Sequence, residues 1–289
     1  MKVLLVICLA VMTLCCALET RLALQGTWAD HDGTELVYEV PKVPKGVLLV
    51  AHGCSHSATD WWPKSTKCPK CIGLPVEKSI VTEGLRRNLI VLAVSSSNRK
   101  HKCWTPQDIK PVTKAINHIY KHYLKSDYSA PLFLLGASSG GTFVGQFALG
   151  NPELLPTVRA VCVQISNIHK PLQVPVMFNL MERDIDLITM VGAKKQTQYK
   201  GGYKILISPT MPVTASYFHD HGAVQTPALS ESVYNALLTG GFLNKDTRKL
   251  AEDPRHSQWR NVRKHHVLCT ACHWPSIAQP TSIHTPHIP

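Results

Sequence analysis

The stretch PLFLLGASSGGTFVGQFALG, Pro131 to Gly150, joins an apolar strand-like run to a helix-like run through a turn built of glycine and serine. Within it, Gly136-Ala137-Ser138-Ser139-Gly140 fits the pattern G-x-S-x-G. At a strand-to-helix turn that pattern forces the serine into a strained, exposed position, and the flanking glycines remove side chains that would clash. The helix N-terminus that follows helps to hold a developing oxyanion. Ser138 is therefore the candidate nucleophile.

Outward from this turn, short runs rich in Val, Ile and Leu alternate with polar or helical stretches. The clearest strands are Gly46 to Ala51, Leu89 to Ser95, Pro131 to Leu135, Val158 to Ile165, Val174 to Leu180 and Tyr203 to Ile207. In PVTKAINHIYKHYLK, Val112, Ala115, Ile116, Ile119, Tyr120 and Tyr123 recur at helical spacing, which predicts a crossover helix. LSESVYNALLTGG puts Leu229, Val233, Ala236 and Leu237 on one side and ends at Gly240 and Gly241, as a surface helix does. Strands alternating with helices predict an α/β fold, a mostly parallel central sheet with helices on both faces.

Two strands before the serine, KGVLLVA ends at His52-Gly53-Cys54. Acyl transfer needs two backbone N–H groups aimed at the carbonyl oxygen, one following the nucleophile and one from an earlier loop. Ser139 and Cys54 are the expected donors, and His52 is expected to shape the loop. HGCSHSATDWW followed by GASSGG resembles the α/β-hydrolase superfamily, and the H-G-C opening resembles its secreted polyhydroxybutyrate-depolymerase and feruloyl-esterase branch. A group of plant and algal α/β-hydrolases is also similar, through Trp61 to Lys64, Cys68 to Cys71, Cys103-Trp104 and Asp253 to Arg260. The similarity runs from about Leu36 to Arg260. It implies the α/β-hydrolase fold and ester hydrolysis, with a small-molecule or polymer ester as substrate.

The triad acid is expected after the second strand past the nucleophile, where VPVMFNLMERDIDL places Asp184, with Asp186 the alternative. The base should follow it. After YKILI the first histidines are His221 and His219 in SYFHDHG, and His221 is the candidate, His219 its alternative. The resembled plant and algal group carries a histidine near the end of a further stretch, which the tail after Arg260 does not match; His265, His266 and His273 are further candidates there. No metal or organic cofactor is needed for such chemistry. Trp61, Trp62 and Trp104 fall in loops expected near the site, either stacking on a sugar or aromatic acyl group or packing in the core.

The opening MKVLLVICLAVMTLCCALE predicts a signal peptide over residues 1–17, cleaved near Ala17, and a secreted protein. The apolar run is short for a bilayer span and turns polar at Glu19, which argues against stable membrane insertion. Residues 18–255 are the expected hydrolase domain, and residues 256–289 an irregular tail. Beyond the peptide the cysteines are Cys54, Cys68, Cys71, Cys103, Cys162, Cys269 and Cys272. In an oxidising compartment Cys54, Cys68, Cys71 and Cys103 are expected to form two bridges of open connectivity beside the oxyanion loop, leaving Cys162 a buried thiol. Cys68-Pro69-Lys70-Cys71 lies in a loop rather than at a helix start, which disfavours redox chemistry. Cys269-Thr270-Ala271-Cys272-His273 matches a haem-attachment pattern but has no packed domain around it, and a zinc site shared with Cys68 and Cys71 is less favoured than disulfides. The formal net charge of +12 comes from scattered residues with no aromatic-plus-basic stretch, which disfavours nucleic acid. A non-catalytic binding protein and a thiol-disulfide oxidoreductase are the rival functions.

Overall fold

The computed structural model describes residues 23–193, 201–253 and 257–258. In chain order the strands are β1 (Thr27–His31), β2 (Thr34–Glu39), β3 (Gly46–Ala51), β4 (Leu89–Val94), β5 (Leu132–Ala137), β6 (Val158–Gln164), β7 (Val176–Met181) and β8 (Tyr203–Ser208). The helices are α1 (Pro75–Arg86), α2 (Ile109–Tyr123), α3 (Ser139–Gly150), α4 (Ile185–Ala193), α5 (Tyr217–Asp220) and α6 (Pro227–Thr239). The strands form one sheet in the order β1-β2-β4-β3-β5-β6-β7-β8. Only the β1–β2 and β2–β4 pairings are antiparallel; the remaining pairings are parallel.

The six strands expected from the apolar runs are β3 to β8, shifted by no more than a residue or two. The sequence reading did not identify the β1–β2 hairpin, whose turn Asp32-Gly33 has φ of 52° and 79°. Positive φ at both turn residues suits the right-handed twist of a hairpin, and Asp-Gly is one of the pairs that adopt it readily.

Alternation along the central strands explains why they read as unbroken apolar runs. In β4, Ile90, Leu92 and Val94 face one core with Val112, Ala115, Ile116, Ile119 and Tyr120 of α2 and Phe143, Val144 and Phe147 of α3. Val91 and Ala93 face a second core with Val81 and Leu85 of α1, Trp61, Trp62 and the Cys68 and Cys71 side chains. Burial on both faces is what a parallel sheet covered by helices requires. Residues 61–74 form the expected long excursion, tied to β1 where the Trp28 N–H donates to the Lys67 carbonyl at 3.0 Å. A separate small cluster of Val213, Phe218, Val224, Val233, Leu237 and Leu243 joins α5 to α6. Sheet order, strand direction and helices on both faces together make this the α/β-hydrolase fold.

Candidate active site

Ser138 sits between β5 and α3 with φ 53° and ψ −121°, outside the regions that an L-residue prefers. Its N–H donates to the Gln164 carbonyl at 2.9 Å, which pins the turn to the end of β6. Close packing explains the glycines. A Cβ on Gly136 would lie 2.1 Å from the Gly140 carbonyl oxygen, and one on Gly140 would lie 2.3 Å from the Ala51 oxygen and 2.5 Å from the His52 oxygen. The start of α3 is thereby pressed against the end of β3, which brings the His52-Gly53-Cys54 loop beside the serine.

A cavity of about 70 Å³ opens at this junction, lined by His52, Gly53, Cys54, His56, Asp60, Trp61, Val76, Glu77, Ile80, Ala137, Ser138, Gln164 and Ile165. Ile165 also has positive φ, 46°. For a β-branched residue that is a strained conformation, and strain of this kind collects at functional sites.

His52 is the expected structural wedge. Its Nδ1 donates to the Gly53 carbonyl at 2.6 Å and its Nε2 accepts from the Ser96 N–H at 3.1 Å, which fixes its tautomer. Burial pushes its pKa down to about 4, so the ring stays neutral. The Trp104 Nε1–H donates to the His52 carbonyl at 2.7 Å, and the Trp104 ring stacks on Phe143. Trp62 is fully buried, with its Nε1–H on Glu39 at 2.8 Å. Trp62 and Trp104 are thus core residues, and of the three tryptophans Trp61 lines the cavity.

The four loop cysteines pair as Cys54–Cys103 and Cys68–Cys71. The first bridge anchors the residue expected to supply an oxyanion donor. The second is buried among the tryptophans of the α1-side core. Cys162 is unpaired and partly buried, and burial raises its thiol pKa to about 11.

Among the residues expected at the site, Ser138 and Cys54 line the cavity, and Ser139 heads α3 immediately after Ser138. Asp184 follows β7, where its carboxylate accepts from the Leu187 N–H at 3.4 Å at the start of α4; Asp186 lies in the first turn of that helix. Neither Asp184, His219 nor His221 is among the cavity-lining residues. Phe218 is the buried residue of the α5 turn, and the two histidines lie on its more exposed sides. His221 stacks on Tyr217 with ring centroids 4.1 Å apart and donates from Nδ1 to the Tyr217 carbonyl at 2.7 Å. His219 Nδ1 lies 3.6 Å from an Asp220 carboxylate oxygen. His265, His266, His273, Cys269 and Cys272, with residues 1–17, lie outside the described residues.

The sequence reading missed a second histidine-carboxylate pair. His56 Nδ1 lies 2.7 Å from Asp60 Oδ2, and both side chains are nearly buried in the cavity wall. The spacing, His then Asp four residues later, was visible in HGCSHSATDWW. No helix among the described residues is long and apolar enough to cross a membrane, and no group of three or more potential ligands among them is arranged to hold a metal ion.

The sequence matches no known family model and no curated protein. Among solved structures, the chain is similar to an α/β serine hydrolase homologue from Coxiella burnetii, at 10% identity over 72% of this chain and 96% of that one, with a TM-score of 0.43. It is similar also to an α/β serine hydrolase without lid from Xanthomonas campestris, at 11% identity over 80% and 96% of the two chains, TM-score 0.43. A cold-adapted esterase from an Arctic intertidal metagenomic library matches at 11% identity over 74% and 95%, TM-score 0.42.

Proposed function

We propose that this chain, an α/β-hydrolase fold with a strained serine between β5 and α3, is a secreted serine hydrolase that cleaves carboxylic esters through an acyl-enzyme on Ser138. The observation that carries the reading is the Ser138 backbone, φ 53° and ψ −121°, held at the mouth of a helix and beside the Gly53-Cys54 loop. A serine bound only to cap a helix needs no such conformation.

On this reading Ser138 Oγ attacks the ester carbonyl carbon, a histidine takes its proton, and the N–H groups of Ser139 and Cys54 hold the oxyanion. The carbonyl–alkoxide bond then breaks, the proton passes to the leaving alcohol, and water hydrolyses the acyl-enzyme. Chain order assigns the acid and base to Asp184 and His221, with His219 the alternative; in the observed arrangement the His221 Nδ1 that Asp184 would hold is bound to the Tyr217 carbonyl. The apolar wall of Trp61, Val76, Ile80 and Ile165 suits an acyl group. Polyester and aromatic-acid esters come first as candidate substrates, on the resemblance of the H-G-C loop. Secretion is supported by the apolar opening of the sequence and by the two bridges, which form and persist in oxidising compartments.

The test is a fluorophosphonate probe on the secreted chain, with Ser138→Ala as control. Labelling of the parent alone, followed by turnover of p-nitrophenyl esters, is the expected result. A folded parent that takes no label refutes the reading and leaves a non-catalytic binding protein. The oxidoreductase alternative is disfavoured by the burial of Cys68 and Cys71.

A further inference from the structure

The geometry points to His56, oriented by Asp60, as the base that takes the Ser138 proton. The inference rests on the serine-hydrolase reading above and names a residue that chain order does not reach.

Orientation comes first. The Asp60 carboxylate accepts from His56 Nδ1 at 2.7 Å. In the neutral ring the proton therefore sits on Nδ1 and the lone pair on Nε2, the tautomer a general base needs. Asp60 is itself held by the Ser57 N–H and hydroxyl, both at 3.3 Å. The turn is fastened just past the end of β4 where the Ala58 N–H donates to Ser95 Oγ at 2.9 Å, and to the start of α1 where the Leu74 N–H donates to the Asp60 carbonyl at 2.7 Å. A dyad so supported keeps its geometry without substrate.

Direction comes second. A Cβ placed on Gly53 would lie 3.6 Å from Ser138 Cβ and 3.9 Å from His56 Cδ2, the ring carbon bonded to Nε2. The free edge of the imidazole and the serine thus border the same glycine and line the same cavity. Among the described residues no hydrogen bond engages Nε2. His221, by contrast, has its Nδ1 on a backbone carbonyl and lies outside the cavity wall. The other ionisable groups of that wall are Glu77, whose carboxyl burial holds above its ordinary range, and the neutral His52. His52 cannot serve as the base, since both its nitrogens are already bonded.

In the reaction, the Oγ–H proton of Ser138 moves to His56 Nε2 as the Oγ–acyl bond forms, and His56 returns it to the departing alkoxide when the ester C–O bond breaks. Water then gives a proton to the same nitrogen as it attacks the acyl-enzyme, and Ser138 regains it. With a fluorophosphonate the Oγ–P bond forms, the P–F bond breaks, and the serine proton stays on His56.

The experiment measures the fluorophosphonate labelling rate of the full chain secreted through an oxidising compartment, for the parent, His56→Ala and His56→Asn. Asparagine keeps a donor for Asp60 but supplies no base. Loss of a positioned base costs about 10²-fold or more, so both variants should label at least ~100-fold more slowly, and added imidazole should restore much of the rate to His56→Ala. A folded His56→Asn that labels at the parent rate overturns the assignment, as does a folded His56→Ala that imidazole does not rescue. If His56→Ala fails to fold, His56→Asn decides alone. A folded parent without label overturns instead the reading of Ser138, and this inference with it.

Discussion

Replacing Gly136 by alanine tests whether the turn that carries Ser138 is built by close packing. The new methyl would lie 2.1 Å from the Gly140 carbonyl oxygen and 2.4 Å from its carbon. Carbon and oxygen in comfortable contact stand about 3.3 Å apart, so β5 and the first turn of α3 must separate by about 1 Å. Both offending atoms are backbone, which removes the easy relief of a side chain turning aside. Overpacking by a methyl costs ~1–3 kcal/mol, and the upper end applies where backbone must move. For a domain of this size a loss of ~3 kcal/mol lowers Tm by roughly 6–12 °C. Gly53→Ala is the matched comparison, because its methyl meets Ala137 O and Ser138 Cβ at 3.6 Å, ordinary contact, and so intrudes on the cavity without forcing the fold apart. It should change stability by less than ~1 kcal/mol while slowing fluorophosphonate labelling. Thermal unfolding followed by tryptophan fluorescence measures the first effect and labelling the second. A Gly136→Ala chain that melts within ~2 °C of the parent, or a Gly53→Ala chain that melts as low as Gly136→Ala, would refute the packing argument.

Removing the Cys54–Cys103 bridge as a double alanine variant, which opens a closure spanning 49 residues, should cost about 4 kcal/mol in the chain-entropy account, read as a lower urea midpoint. Cys162, with its pKa raised to about 11 by burial, is almost wholly protonated at pH 8; its reaction with a disulfide reagent, measured against Cys162→Ala, should be slow in the folded chain and fast in denaturant. Glu39 is held above its ordinary pKa by burial, in spite of the hydrogen bonds from the Gln25 N–H and Trp62 Nε1–H. A raised folded-state pKa means that its contribution is present below the unfolded value and lost as pH rises through the folded one. Glu39→Gln keeps the acceptor and drops the charge, so it should be at least as stable as the parent at pH 7, with the difference vanishing in acid; a variant less stable at pH 7 and equal in acid contradicts this.

The strands were legible because β3 to β6 are apolar on both faces and their neighbours on at least one. The β1–β2 hairpin was hidden by polar, half-exposed or exposed residues such as His31, Glu35 and Asp30, although Asp32-Gly33 announced its turn. Helix α1 was hidden because Val76 and Ile80 serve the cavity wall while Val81 and Leu85 serve the core. Two demands on one short helix blur its single apolar stripe. Ser138 was legible because its backbone strain demands small neighbours that leave a pattern. His56 and Asp60 leave none of that kind: their pairing depends on a short turn whose shape comes from Ser57, Ser95 and the Leu74 N–H, residues that carry no local signal. Chain order directed attention instead to Asp184 and the histidines of the α5 turn, whose buried anchor, Phe218, belongs to a separate cluster.

The Cys54–Cys103 bridge encloses more than a loop. His56, Asp60, Trp61, Val76, Glu77 and Ile80 all lie between its ends, whereas Ser138, Gln164 and Ile165 lie beyond them. The cavity is therefore a seam between a covalently closed ring of chain and the sheet that carries the serine. A protease cutting once inside the ring would leave both fragments tethered to Cys54 and Cys103, with their wall residues still attached to the molecule. Such a ring lets one side of the cavity survive a single cleavage.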